Sequence, residues 1–316
     1  MALAPAWIPS AAAAWPQRTV RFIVPVGVGT APDITARLFA ERLAKQWKQP
    51  VVVENRPGAD GITGVNAFAG TRDDHTLLFS FAAPISVFPA IHEKLPYDPE
   101  RDVIPVASVA DTFAAFTASA SIDVKSLAEF VALARARPGE LNCFTAFGAF
   151  PSLFAGFARS IGLDIVQVAY REPSVAVQDL AEGRIQCMLS TVTAVMPALQ
   201  GGKSRMLAVT NSRRAPLTPD VPTAREAGFP DLAFEGLLGV FGPRDMPAEL
   251  REQVAADIRA VAADPGIAER LAAIGQAARG STAAEFAADI EAQRAQMTAI
   301  AKAIGGAPSV LKMQEK

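Results

Sequence analysis

From residue 19 onward the apolar residues of this 316-residue chain fall into short runs that alternate with helical periods. That strand–helix rhythm is what a parallel sheet covered by helices requires. Residues 20–26 form the first run and residues 27–32 break it. From Asp33 a helix face follows, carried by Ile34, Leu38, Phe39, Leu43 and Trp47 at three- to five-residue spacing. Strands are expected at 51–54 and 76–81, with a Gly/Pro turn over 55–61 and a short helix to Phe68 between them. A second series opens at Ser126 and Glu129, a capping box, and places strands at 141–145, 165–169, 185–189 and 206–209. After an apolar run over 234–241 the chain turns Ala-rich and helical from Pro247, with a further capping box at Thr282 and Glu285. Nothing there forms a third sheet, so these helices are expected to return to the first lobe. The chain then crosses between lobes near 115–122 and near 234–241, giving lobe one as 15–118 plus 236–316 and lobe two as 119–235. Two crossings make a hinge.

Charge narrows the partners. Thirty Lys and Arg stand against 32 Asp and Glu, a net charge of −2, without the basic stripe that nucleic-acid backbones require. Two Cys and two His at no ligand-like spacing predict no metal site. Cys143 and Cys187 fall in strands, where a buried free thiol is the usual state, although an exported protein oxidises such pairs if their geometry allows. The uncharged first 14 residues end in alanines that a signal peptidase accepts. They read as a signal-peptide remnant of a longer precursor, because the positive segment that normally precedes such a run is missing. Export to the periplasm and a mature start near Trp15 are therefore expected.

The strongest local motif is Gly27-Val28-Gly29-Thr30-Ala31-Pro32-Asp33, between a strand and a helix. Backbone N–H groups and the positive helix end at such a loop hold a carboxylate or phosphate without Arg or Lys. A plain turn that needs glycine for its backbone angles fits the loop equally well. The segment also approaches the dinucleotide fingerprint, with Glu54 at the right distance, so an NAD-dependent oxidoreductase is a rival reading. Pro32 at the third glycine position and Pro25 in the preceding strand count against it. Gly201-Gly202-Lys203-Ser204 has the order of elements opposite to a P-loop and reads as a helix stop. His75 and His92 are the chain's imidazoles, and with no G-x-S-x-G elbow they suggest structural roles, not catalysis.

Ligands of open α/β sheets gather at the carboxyl ends of strands. Besides Val26 and the Gly27 loop, that rule nominates Ser80, Phe81 and Ala82 in lobe one. In lobe two it nominates Thr145, Ala146, Phe147 and Gly148, then Tyr170 and Arg171, then Ser190 and Thr191. Arg171 is suited to an acidic ligand group or to a solvated rim.

Asn55-Arg56-Pro57-Gly58-Ala59, Pro96-Tyr97-Asp98-Pro99 and Pro219-Asp220-Val221-Pro222-Thr223 followed by Glu226-Ala227-Gly228 stand in an order that resembles the Bug family of periplasmic solute receptors of tripartite tricarboxylate transporters. The resemblance runs from about residue 15 to about 303. It implies a two-lobed, type II-like Venus flytrap without catalytic activity or cofactor, expected as a monomer, whose closed form is delivered to membrane transporter subunits. It further implies that the loops over 26–33 and 145–148 hold a ligand carboxylate through backbone amides and ordered water. A receptor of this shape serving a signalling kinase is the alternative. Relatives usually carry more glycine where this chain has Thr30 and Ala31, Val-Pro-Tyr-Lys-Gly where it has Val168-Ala169-Tyr170-Arg171-Glu172, and Asn near Phe88. These departures suggest a longer dicarboxylate or an aromatic carboxylate covered by Phe81, Phe88, Phe147 or Phe150. The same phenylalanines read almost equally well as lobe core.

Overall fold

The computed structural model describes residues 15–71, 73–146 and 148–305. The signal-peptide reading of residues 1–14 and the nomination of Phe147 lie outside the described residues. In chain order the elements are β1 (Val20–Val24), α1 (Ala31–Trp47), β2 (Val51–Asn55), α2 (Ile62–Ala69), β3 (Thr76–Phe81), α3 (Ala83–Ser86), α4 (Phe88–Ile91), α5 (Pro99–Asp102) and β4 (Val103–Thr112). Then come β5 (Ala114–Ser119), α6 (Leu127–Ala136), β6 (Asn142–Thr145), α7 (Phe150–Ser160), β7 (Val166–Gln167), α8 (Pro173–Ala181), β8 (Cys187–Thr191), α9 (Val192–Gln200) and β9 (Ser204–Val209). The last part holds β10 (Gly236–Pro243), α10 (Ala248–Ala262), α11 (Pro265–Ala273), β11 (Gln276–Ala278) and α12 (Ala283–Ile304).

These strands build two sheets flanked by helices, in the orders β11-β4-β10-β3-β1-β2 and β7-β6-β8-β5-β9. The order β2-β1-β3 differs from the 3-2-1-4 order of a dinucleotide-binding sheet, and Glu54 is engaged by Arg21 and Arg56. Each sheet is mixed because of the strand that arrives from the other lobe. β5 runs antiparallel to β8 and β9, and β10 runs antiparallel to β3 and β4. A strand that enters at the carboxyl ends of its new neighbours has to run against them.

One chain crossing needs correction. β4 pairs in the first sheet to Thr112 and β5 pairs in the second from Ala114, so the change of sheet falls at Phe113. The expected crossing at 115–122 and the lobe boundary at 118 both come too late. Residues 103–119 make one nearly continuous apolar run, and only pairing partners tell where it leaves one sheet for the other. On the return, β10 pairs in the first sheet from Gly236.

The first sheet packs α1, α10 and α11 on one face through Phe22, Phe39, Leu43, Val254 and Ile258. On the other face Val65, Phe68, Phe286 and Ile290 bring in α2 and α12. In the second sheet Phe116, Phe130, Phe154 and Phe157 form an aromatic core with α6 and α7. That core also receives Val87, Phe88 and Ile91 from the first lobe and Met297 from α12. The lobes thus share apolar packing on the side where α12 lies. Cys143 and Cys187 are partners on adjacent strands, both buried and both free thiols; burial, and then each other's proximity, push the Cys187 thiol well up.

Candidate functional site

A cavity of about 420 Å³ lies between the sheets, within the range of small-molecule sites. Its walls come from the ends of strands. Pro25, Val26 and Gly27 follow β1, Phe81 closes β3, Ala146 and Gly148 follow β6, and Thr191 closes β8. Ala83, Pro84 and Phe88 add the start of α3 and α4, Ala149 and Phe150 the start of α7, and Thr112, Phe234, Glu235, Gly236 and Leu237 the two crossings. Gln293 reaches in from α12, its amide N–H donating to the Glu235 carbonyl at 2.8 Å and its side-chain oxygen accepting from the Ser86 hydroxyl.

Of the nominated residues, Val26, Gly27, Phe81, Ala146, Gly148 and Thr191 line this cavity. Phe88 and Phe150 line it too, Phe88 while almost wholly buried in the shared core. The others lie behind or beside the wall. Ser80, Ala82 and Ser190 are buried at strand ends. The Thr145 hydroxyl donates to Gln167 at 3.4 Å. Tyr170 packs its ring against Phe144 at 5.4 Å and donates its hydroxyl to Asp179 at 2.6 Å. Its pKa is pushed up to about 12 by burial and then by Asp179. Arg171 is exposed outside the cavity lining.

The Gly27 loop is wired differently from the simple helix-terminus picture. The Val28 side chain is 74% exposed. The Thr30 amide and hydroxyl both donate to the Gly27 carbonyl, Ala31 opens α1, and Pro32 removes one amide from its first turn. Asp33 is buried, and its carboxylate accepts from the Gly29 amide at 2.9 Å, from Asn55 at 2.8 Å and from Arg37 at 3.1 Å. Burial alone would raise its pKa; the Arg37, Gly29 and Asn55 contacts outweigh that and hold it low. Asp33 therefore supports the loop from behind as an internal anion. Among the described residues the amides of Gly27 and Val28 have no hydrogen-bond partner, and Gly27 lines the cavity.

The turn over 57–61 was missed as a site element, although the Pro57-Gly58-Ala59 motif marks it. Gly58 at φ 136° takes a conformation open only to glycine, and Ala59 and Asp60 follow at φ 46° and 53°. This carries the Asp60 side chain across to the second lobe, beside the Gly148 amide. Asp60 remains solvent-exposed in the cleft. The apolar walls around it nonetheless push its carboxyl above the ordinary range, against the lowering effects of the Gly148 amide and of His92. His92 in turn is held low by burial, with Asp60 pulling the other way.

Asp73, Asp74 and His75 gather ligand-type atoms at the opposite strand ends. Arg18 pairs with both carboxylates, at 2.5 Å with Asp73, so the cluster is neutralised by protein.

Comparison with known proteins agrees with this architecture. The family model described as the tripartite tricarboxylate transporter family receptor, TctC, matches residues 35–306. A UPF0065 protein of Bordetella bronchiseptica is 32% identical over 92% of this chain and 87% of its own length. BugT of Bordetella pertussis is 32% identical over 75% of this chain and 74% of its own. Among solved structures, R. palustris Rpa4515 with adipate is similar at 29% identity and a TM-score of 0.79, covering 93% of this chain and all of that one. MatC from Rhodopseudomonas palustris with bound malate is similar at 27% identity and a TM-score of 0.74, over 90% and 99% of the two chains. With the family matched over most of its length and the two-lobed fold in place, the chain belongs to the TctC, or Bug, family of tripartite tricarboxylate transporter receptors.

Proposed function

We propose that the protein is a periplasmic receptor that captures a small carboxylate between its lobes and hands it, unaltered, to the membrane subunits of a tripartite tricarboxylate transporter. The observation that carries this reading is the interlobe cavity, which is lined by Gly27 of the strand-to-helix loop, whose amide has no hydrogen-bond partner among the described residues, beside apolar walls in a chain of this receptor family. Amides at a strand-to-helix loop bind an anion without a side-chain cation. Phe81, Phe88, Phe150 and Phe234 suit a ligand body of adipate length or an aromatic ring better than the short polar body of malate. The receptor acts as a monomer of two lobes that meet at Phe113 and at the return into β10.

Mass spectrometry of ligand released from freshly purified protein is the test. A carboxylic acid with a body of about six carbons or an aromatic ring, recovered without chemical change, is expected. Recovery of a nucleotide, or calorimetry in which malate binds more tightly than adipate and benzoate, would sink this reading.

A further inference from the structure

Asp60 stands at a point where a carboxylate receptor has least use for a negative charge. We propose that Asp60 makes the cleft select a zwitterion, a ligand whose carboxylate is joined through an apolar body to a cationic donor such as an ammonium or a protonated ring nitrogen. The inference rests on the carboxylate-receptor reading and names the other end of the same ligand.

Among the described residues the cavity lining holds two carboxylates, Asp60 and Glu235, and no Lys or Arg. The Glu235 carboxylate is already occupied, by the Ser212 amide at 2.8 Å and the Asn211 side chain at 3.3 Å. Asp60 lies beside the Gly148 amide and, at longer range, the half-buried His92, and its carboxylate is part of the cavity lining without an ion-pair partner among the described residues. When a ligand fills the cleft and displaces water, that charge is left in apolar surroundings, where an unpaired carboxylate is strongly disfavoured. A cationic donor on the ligand resolves this, whereas a second ligand carboxylate at the same place aggravates it.

The backbone supports the same assignment. Ala59 and Asp60 are consecutive non-glycine residues in the left-handed region. Asp tolerates that region better than most residues; Ala does not. Strain of this kind persists where the surrounding structure fixes a side chain for use. A carboxylate set beside the Gly148 amide also disfavours a ligand carboxylate at that point of lobe two. The carboxylate end is thereby directed to the Gly27 loop, and the cationic end to Asp60. Phenylalanine rings between them favour an apolar or aromatic body and add cation–π attraction.

Calorimetry at pH 7.5 on ligand-stripped protein tests this with two matched trios: hexanoate, 6-aminohexanoate and adipate; and 4-methylbenzoate, 4-(aminomethyl)benzoate and terephthalate. In at least one trio the zwitterion is expected to bind about tenfold more tightly than the other two. D60G, which suits φ 53°, is expected to bring the ratio of zwitterion to monocarboxylate affinity to about one, with unchanged circular dichroism. A dicarboxylate that binds best to the unmodified protein, or a zwitterion preference that survives in D60G, overturns the role of Asp60 and leaves the carboxylate receptor standing. Hexylamine or 4-methylbenzylamine binding as tightly as the zwitterions overturns the carboxylate receptor and leaves Asp60 standing. No binding by any of these probes overturns both.

Discussion

Asp33 and Asp60 are both carboxylates beside the Gly27 loop or the cleft, and their surroundings drive them apart. Asp33 meets Arg37, Asn55 and the Gly29 amide, which together outweigh its burial. Its folded pKa lies below the unfolded value of about 3.9. The stability it contributes is therefore complete above about pH 4 and is lost as pH falls through the lowered folded value. Thermal melts of the protein and of Asp33→Asn are expected to converge as pH falls below about 4; parallel curves would show that the carboxylate's charge is immaterial. Gly236 makes a different demand. A Cβ there would sit 2.2 Å from the Thr112 carbonyl oxygen, where the two crossing strands meet. Gly236→Ala is expected to cost about 1–3 kcal/mol, as overpacking does, and to weaken ligand binding by spreading the hinge. Urea midpoints and calorimetry on the same samples read both effects.

At the scale of elements, caps and reversed strands decide most of the geometry. α12 begins at a complete capping box, in which the Thr282 hydroxyl accepts the Glu285 amide and the Glu285 carboxylate accepts the Thr282 amide. α6 uses a variant: Ser126 accepts the Glu129 amide, but Glu129 reaches back one residue further, to the Lys125 amide. α12 touches β4 in lobe one and α7 in lobe two, with Gln293 on the cavity wall, so its start bears on both. Thr282→Ala is expected to lower stability by about 1 kcal/mol, read as a lower urea midpoint with unchanged slope. A shallower slope instead would point to the lobes unfolding separately.

For the whole molecule the hinge is the decisive region. Asp111, buried two residues before the crossing at Phe113, receives Arg279 of the first lobe at 3.0 Å and Arg213 of the second. Arg279 continues to Asp289 on α12 at 2.5 Å. Removing the central carboxylate leaves two arginines without it, and Asp111→Ala is expected to cost about 3 kcal/mol, the lower part of the range for breaking a buried pair because both arginines are partly exposed. Ligand binding is expected to draw the lobes together, since a ligand shifts an open–closed equilibrium by its preference for the closed form. Small-angle scattering would register a smaller radius of gyration at saturation, and unchanged dimensions would count against a flytrap.

The sequence alone determined much of the order of strands and helices, though not β4, β5 or β11, because apolar periodicity and capping residues act within a few positions of one another. β3 falls at Thr76–Phe81 and the Thr282 cap stands where the pattern places them. The Gly27 loop was legible for the same reason, as was its place at a strand end. What only the tertiary structure decided is which of those loop groups remain available. The Gly29 amide is consumed by Asp33 and the Tyr170 hydroxyl by Asp179, partners that no local pattern reveals. The chain's change of sheet at Phe113 hangs on pairing between distant strands. Asp60 reaches the cleft because residues 58–61 all take positive φ, and it meets there Gly148, 88 positions along the chain. Such a contact depends on how two lobes are set against each other, and side-chain spacing along one strand or helix carries no record of that.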